Sequence, residues 1–312
     1  MPFISRHILE QIVERMQAGD TLIDAEPLIG GASAEVVLLN IQHVGGGTQK
    51  YLLRAHGDIN RSRNADVARD EFKLLKILFA AGLPVAQPHY LDVSGELYPI
   101  PYLVLDYIEG ATDFSPQNLA DFIQQSAALL AQIHQVKPGQ SLDFLADRIP
   151  HILWWIGYQP EHPNHELGEG QLREALRTLF PLKYMNAATL LHGDFWVGNF
   201  IWRGGKLVGV IDWEDAEVGD PLSDLSIARL DMLWAFGQDA MHDFTQAYQA
   251  LMPDLDYSNL PQWDLFAALR PGGQVEEWAA PWAGYGRPDV TVTTMFEAHQ
   301  WFVKQAFAHL NP

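Results

Sequence analysis

The chain turns on the stretch Leu191-His192-Gly193-Asp194-Phe195-Trp196-Val197-Gly198-Asn199 and on the run just after it, Leu207-Val208-Gly209-Val210-Ile211-Asp212. The second run reads as a short strand that delivers Asp212 at its end. In the first, an Asp and an Asn stand five positions apart across a loop that contains two glycines.

That set of side chains is what metal-assisted phosphoryl transfer needs. One carboxylate, Asp194, orients an attacking hydroxyl and takes its proton. The side-chain oxygen of Asn199 meets a metal without adding charge, and Asp212 supplies a hard oxygen ligand of the kind Mg²⁺ prefers. A lone Asp here would read as a turn or cap residue, but three such groups at this spacing read as a unit.

Working outward, the 312 residues suggest about two domains. There is no Cys, which excludes disulfides and thiolate chemistry and fits a cytoplasmic location. The N-terminus lacks an apolar signal core, and Ile8, Leu9, Ile12, Val13 and Met16 recur at helical spacing. No apolar run approaches the roughly 20 residues of a membrane span, so no membrane partner is expected. The formal charge of −19 argues against a nucleic-acid backbone as partner. It suits a cationic substrate and, more generally, solubility.

The first hundred residues read as strands around one main helix. Strand candidates cover Glu35 to His43 and Tyr51 to Ala55, with Gly45-Gly46-Gly47 as the hairpin loop. Ala65 to Ala81 reads as a helix stopped by Gly82 and Pro84, and 101–108 as a buried strand. From Pro116 the pattern turns helical, with helices expected over Leu119 to Val136, Leu222 to Phe236, Asp239 to Leu251 and Thr293 to Leu310. The Gly-, Pro- and Trp-rich run from Pro271 to Pro288 reads as a loop.

His192-Gly193-Asp194 with Asn199, followed by Ile211-Asp212-Trp213-Glu214-Asp215-Ala216, Gly219-Asp220-Pro221 and Asp224-Leu225, resembles the aminoglycoside phosphotransferase/choline kinase family. The match is specific over 190–226, looser over 25–136 and nearly absent after 230. The resemblance implies an α+β, protein-kinase-like, two-lobed fold. A small β-rich N-lobe over 1–109 would bind nucleotide, with a hinge at about 103–110. A larger, mostly helical C-lobe over 110–312 would carry a small β insert, the catalytic loop and the acceptor site. ATP and Mg²⁺ are the implied cofactors, and the γ-phosphate would pass to the hydroxyl of a small molecule.

Residue by residue, the resemblance implies Asp194 as catalytic base and Asn199 and Asp212 as magnesium ligands. His192, Asp220 and Asp224 would brace the loop. Arg54 stands where the family usually has Lys and would reach the α- and β-phosphates, paired with Glu71, with Asp70 as the alternative partner. A planar fork and a point charge are not equivalent at such a site. Gly31 and Ser33, in the turn Gly30-Gly31-Ala32-Ser33-Ala34, would cover the phosphates. The Asp106 carbonyl and the Ile108 N–H would bond adenine.

Other readings are weaker. His162, His165 and Glu166 lack zinc-site spacing, and Asp212-Trp213-Glu214-Asp215 lacks the Gly and terminal Glu of a calcium loop. The absence of Asp-Phe-Gly and Ala-Pro-Glu speaks against a protein kinase. A non-catalytic nucleotide-binding regulator is supported only by Arg54. The acceptor could be aminoglycoside-like, an amino alcohol or sugar-like. Glu276, Glu277 and Asp289 suit an amine, or equally a solvated loop. Trp154, Trp155, Trp278 and Trp282 suit either an acceptor pocket or core packing. Nothing in the sequence fixes an oligomeric state.

Overall fold

A computed structural model describes residues 4–28, 34–136, 142–161, 163–180, 185–272 and 274–310. Gly31 and Ser33, expected to cover phosphates, lie outside the described residues. The chain divides into two units, Met1–Glu109 and Gly110–Pro312.

The first unit opens with α1 (Arg6–Met16), whose N-cap Ser5 accepts a hydrogen bond from the Ile8 N–H. Strands β1 (Thr21–Pro27), β2 (Ala34–Gln42) and β3 (Thr48–His56) follow, then the short α2 (Asp58–Arg63), α3 (Val67–Ala80), β4 (Pro88–Asp92) and β5 (Tyr102–Asp106). The five strands form one antiparallel sheet in the order β1-β2-β3-β5-β4. Gly46 and Gly47 take φ of +90° and +85° in the β2–β3 loop, a conformation side chains resist. One sheet face is apolar. Val37, Leu39, Ile41, Tyr51, Leu53 and Ala55 form one core with Leu9, Ile12 and Val13 of α1. Each aliphatic side chain buried there contributes about 1.5–3 kcal/mol. Because side chains alternate along a strand, Arg54 and His56 project from the opposite face, toward Glu71 of α3.

The second unit is mostly helical. It comprises α4 (Leu119–His134), α5 (Arg148–Gly157), α6 (Glu169–Leu179), β6 (Thr189–Leu191), a 3₁₀ turn (Val197–Asn199), β7 (Phe200–Arg203), β8 (Lys206–Val210) and β9 (Glu217–Gly219). Helices α7 (Leu222–Phe236), α8 (Gln238–Leu251), α9 (Leu260–Leu269), α10 (Val275–Ala279) and α11 (Val292–Leu310) complete it. Two small antiparallel ribbons, β6–β9 and β7–β8, form the insert.

Helix α7 is its axis, with every residue from Leu222 to Ala235 buried. That explains its weak sequence periodicity, since a helix covered on all sides needs no polar face. Its buried Arg229 makes a two-pronged bond to Asp264 of α9, with both distances 3.0 Å, and reaches Thr245 at 2.6 Å. Gln305 of α11 also donates to Asp264.

One expectation needs correction. The run 271–288 is not wholly loop, because Val275–Ala279 forms α10. The helical spacing of Ile8 to Met16 falls in α1, and the short α2 accompanies the main helix α3. Helices α5, α6 and α9 were not read from the sequence. Helix α9 has buried residues at nearly every position, so no helical period stands out there.

Candidate active site

Asn199 and Ile211 are brought together by the β7–β8 ribbon, in which Phe200 pairs with Val210. The Ile211 N–H donates to the Asn199 carbonyl at 3.0 Å. From the other side, Nε2 of His192 lies 3.0 Å from the Ile211 carbonyl and donates to it. His192 and Asn199 are therefore both held to the main chain of Ile211, the residue before Asp212, although 13 positions separate Asn199 from Asp212.

Asn199 is tied to Asp194 twice. Its side-chain amide donates to the Asp194 carbonyl at 2.9 Å and to Oδ2 at 3.2 Å. With its N–H groups so engaged, the amide keeps its oxygen as the atom that can meet a cation. Asp212 has φ of +66°, the one non-glycine residue in the left-handed region among the described residues. Such a conformation costs about 1–2 kcal/mol and concentrates where function constrains the backbone.

The loop is fixed from beneath by Asp224, fully buried on α7. Its Oδ2 accepts the His192 N–H at 2.6 Å and its Oδ1 the Gly193 N–H at 3.0 Å. His134 of α4 stands 3.4 Å from the same carboxylate and bonds the Tyr248 hydroxyl at 2.6 Å. Burial pushes the Asp224 carboxyl up. The hydrogen bond and charge of His134, with the charge and N–H of His192, outweigh it and hold the carboxyl below its ordinary value.

Asp220 sits elsewhere. Its Oδ1 accepts hydrogen bonds from the Leu222 N–H at the start of α7 and from Nδ2 of Asn186. Burial raises its pKa. Its bonds thus join the head of α7 to Asn186, rather than bracing the loop directly as expected.

In the first unit, Nη1 of Arg54 lies 3.5 Å from Oε1 of Glu71, both side chains being buried. Asp70 instead accepts from Asn64 at an exposed position. His56, which sequence reasoning missed, holds the other Glu71 oxygen at 2.7 Å. Its signal was the two-residue spacing from Arg54, which puts both on one strand face. Asp106 ends β5, and its side chain accepts from Gln49 at 2.9 Å and pairs with His89 at 2.7 Å. Ile108 follows it, half-buried.

A second missed residue is Arg270, at the end of α9. Its Nη2 lies 2.6 Å from Oδ1 of Asp194 and its Nη1 3.5 Å from Oδ2 of Asp231. Nothing in the sequence near 270 signals this, because the contact joins positions 76 apart. Of the tryptophans, Trp278 lies against Arg270 and Trp234. Trp282 packs with Phe114 and Tyr285 in the core, and Trp154 is 62% exposed. Asp289 is engaged by Arg287. No group of three or more His, Cys, Asp or Glu able to hold a metal occurs among the described residues. A site of one carboxylate and one amide oxygen is of the sparse kind that Mg²⁺ completes with phosphate and water.

Residues 24–266 match the model of the phosphotransferase enzyme family. The chain belongs to that family. A curated relative, acyl-CoA dehydrogenase family member 11 of Homo sapiens, is 25% identical over 251 residues, covering 72% of this chain and 32% of the relative. The chain thus spans about a third of the length of the curated relatives it matches. Among solved structures, APH(2″)-IIIa in its GDP and kanamycin complex aligns with a TM-score of 0.65 at 16% identity, over 97% of this chain and 99% of that one. Amicoumacin kinase in complex with AMP-PNP, Ca²⁺ and Ami gives 0.62 at 16% identity, over 94% and 93%. The fold is the protein-kinase-like phosphotransferase fold, with an antiparallel sheet in the first unit and helices in the second. Among the described residues no helix is long and apolar enough to cross a membrane.

Proposed function

We propose that this member of the phosphotransferase enzyme family is an ATP- and Mg²⁺-dependent O-kinase acting on a hydroxyl-bearing small molecule. The observation that carries the reading is the junction at Asn199, whose amide holds Asp194 while its carbonyl holds the residue before Asp212. Asp194 and the residue before Asp212 are thereby both tied to Asn199 at the open end of the β7–β8 ribbon, and positioning of this kind is what catalysis of phosphoryl transfer requires.

In this reading Asp194 orients the acceptor hydroxyl. As the acceptor oxygen bonds to the γ-phosphorus, the bond to the bridging oxygen breaks and ADP departs. The acceptor proton passes to the Asp194 carboxylate. Asp212 and the side-chain oxygen of Asn199 would hold Mg²⁺, which when bound neutralises phosphate charge. Arg54, held by Glu71, serves the α- and β-phosphates, and the Asp106 carbonyl and Ile108 N–H serve the adenine. His192 and Asp224 keep the loop in shape. Aminoglycoside-like, amino-alcohol and sugar-like alcohols form the acceptor class. The two solved relatives, one complexed with GDP and kanamycin and the other with AMP-PNP and Ami, support a nucleotide and a small acceptor without choosing either.

The test is a nucleotide-consumption screen with Mg²⁺ and either ATP or GTP against antibiotics, amino alcohols, sugars and hydroxy metabolites, repeated with Asp194→Asn. A phosphorylated product made by the wild type and lost in the variant is expected. Equal product from both would overturn the role of Asp194.

A further inference from the structure

We propose that Arg270, anchored by Asp231, is a positioning residue for phosphoryl transfer, fixing one oxygen of the Asp194 carboxylate in place of a cation that the loop itself lacks. The inference rests on the proposed role of Asp194 as base, and adds to it a residue beyond 266, where the family match ends.

Residues 192–199 contain no Lys or Arg, and the charged residues just after β8, Asp212, Glu214 and Asp215, are all acidic. A base that must meet a hydroxyl in line needs its carboxylate held in one orientation, and a guanidinium can do this with a directed bond. Arg270 meets that need from a different helix. Its Nη2 holds Oδ1 of Asp194 at 2.6 Å, within the range of a strong charge-assisted bond. Asn199 holds Oδ2 more loosely, at 3.2 Å. The carboxylate is therefore pinned at Oδ1 while Oδ2 has the weaker bond to exchange for an acceptor hydroxyl.

The guanidinium is itself held. Asp231, from the buried axis helix α7, approaches Nη1 at 3.5 Å, and the Trp278 ring lies 5.7 Å from the guanidinium carbon. Trp278 in turn packs edge-on against Trp234 of α7. Burial works against the Arg270 charge, but the Asp194 and Asp231 carboxylates outweigh it and raise its pKa.

Comparison with Arg229–Asp264 separates this pair from a structural one. That pair is two-pronged, with side chains 6% and 2% exposed, and saturated by Thr245 and Gln305. In Arg270–Asp194 a single nitrogen makes the contact and the acid is 32% exposed. A base must be open to its substrate, and the Asp194 carboxylate is, whereas that of Asp264 is not.

The test uses the full chain with the acceptor found in the screen, and water as acceptor where none is found, so that ATP hydrolysis is read. Arg270→Gln is expected to lower kcat about 100-fold while KM for ATP, AMP-PNP binding and Tm stay near wild type. Arg270→Lys should recover at least tenfold over Gln. Ethylguanidinium added to Arg270→Ala should restore turnover in a saturable way, which a structural role would not produce. Asp231→Asn should lower kcat about tenfold, and the double variant with Arg270→Gln should be no slower than Arg270→Gln alone. Wild-type kcat in Arg270→Gln, with Asp194→Asn inactive, overturns the role of Arg270 and leaves the kinase reading standing. Activity retained in Asp194→Asn instead overturns the role of Asp194 as base and this inference with it. Should Arg270→Gln fail to fold, Arg270→Lys decides: a kcat equal to wild type overturns the proposal, and a fall of about tenfold at unchanged Tm supports it.

Discussion

Gly193 faces the main-chain oxygen of Asp215 so closely that a Cβ on it would lie 2.0 Å from that atom. Its φ is +84°, in the region that side chains resist. Both facts demand glycine in the second position of His192-Gly193-Asp194. Gly193→Ala is expected to cost at least about 2 kcal/mol, from the strained backbone and the displaced turn at Asp215 together. Thermal unfolding and a turnover assay check it. A variant with wild-type Tm and kcat would show that the loop relaxes freely.

Asp224 accepts two loop N–H groups while buried. Asp224→Ala leaves both donors without this partner, at about 1–3 kcal/mol each. Asp224→Asn is milder. Because the folded carboxyl lies below its ordinary value of 3.8, its contribution is present above that pH and lost as pH falls through the lower folded value. The wild type should therefore lose stability more steeply than Asp224→Asn below about pH 4. Parallel acid-denaturation curves would contradict this.

The fold was legible because its deciding segments are local. Loop 192–199 and strand 206–210 carry their own signals, and helices such as α4 and α7 begin within a residue of where the apolar pattern places them. Elements whose identity rests on tertiary burial were not legible, α9 above all. The site divides in the same way. Asp194, Asn199 and Asp212 are joined by a short ribbon and so appear as a motif. Arg270 owes its place to packing between distant elements, which leaves no spacing to read, and the only mark of His56 is its two-residue step from Arg54 along one strand face. The burden placed on Asp220 was misplaced because an Asp before a helix can serve either the helix start or a neighbouring loop, and sequence does not say which.

Asp231 provides a second pH signature of opposite sign. Burial pushes its carboxyl up to about 7, and repulsion from Asp194 adds to this, while Arg270 at 3.5 Å offsets only part. The folded chain thus holds a proton that the unfolded chain has released, so stability falls as pH rises from about 4 to about 7. The slope from this one group is at most about 1.4 kcal/mol per pH unit. Asp231→Asn should flatten the decline between pH 5 and 7 by about 1 kcal/mol or more. Denaturant titrations at both values measure it, and identical slopes in the two proteins would rule it out.

Asp212 tests the metal. Asn is the other residue that tolerates a positive φ, so Asp212→Asn should keep the fold with a Tm within a few degrees of wild type. It removes the one carboxylate proposed for Mg²⁺, so turnover should fall at least about 100-fold, with the Mg²⁺ dependence moved to higher concentration. Removing divalent metal from the wild type with a chelator should abolish transfer, and added Mg²⁺ should restore it. Full turnover in chelator would exclude the metal role.

Arg54 and Glu71 bear on the nucleotide side. His56 lies closer to the Glu71 carboxylate than Arg54 does, 2.7 Å against 3.5 Å. Glu71 is thus anchored without depending on the cation, and Arg54→Lys should leave Tm nearly unchanged. A point charge presents fewer directed donors than the guanidinium fork, so KM for ATP should rise several-fold while kcat stays within about threefold. Glu71→Ala differs in kind. It strips a buried anion from both His56 and Arg54 and should cost about 3–5 kcal/mol in unfolding free energy. A KM for ATP unmoved by Arg54→Lys and by Arg54→Met alike would take Arg54 out of the phosphate site, whatever its effect on stability.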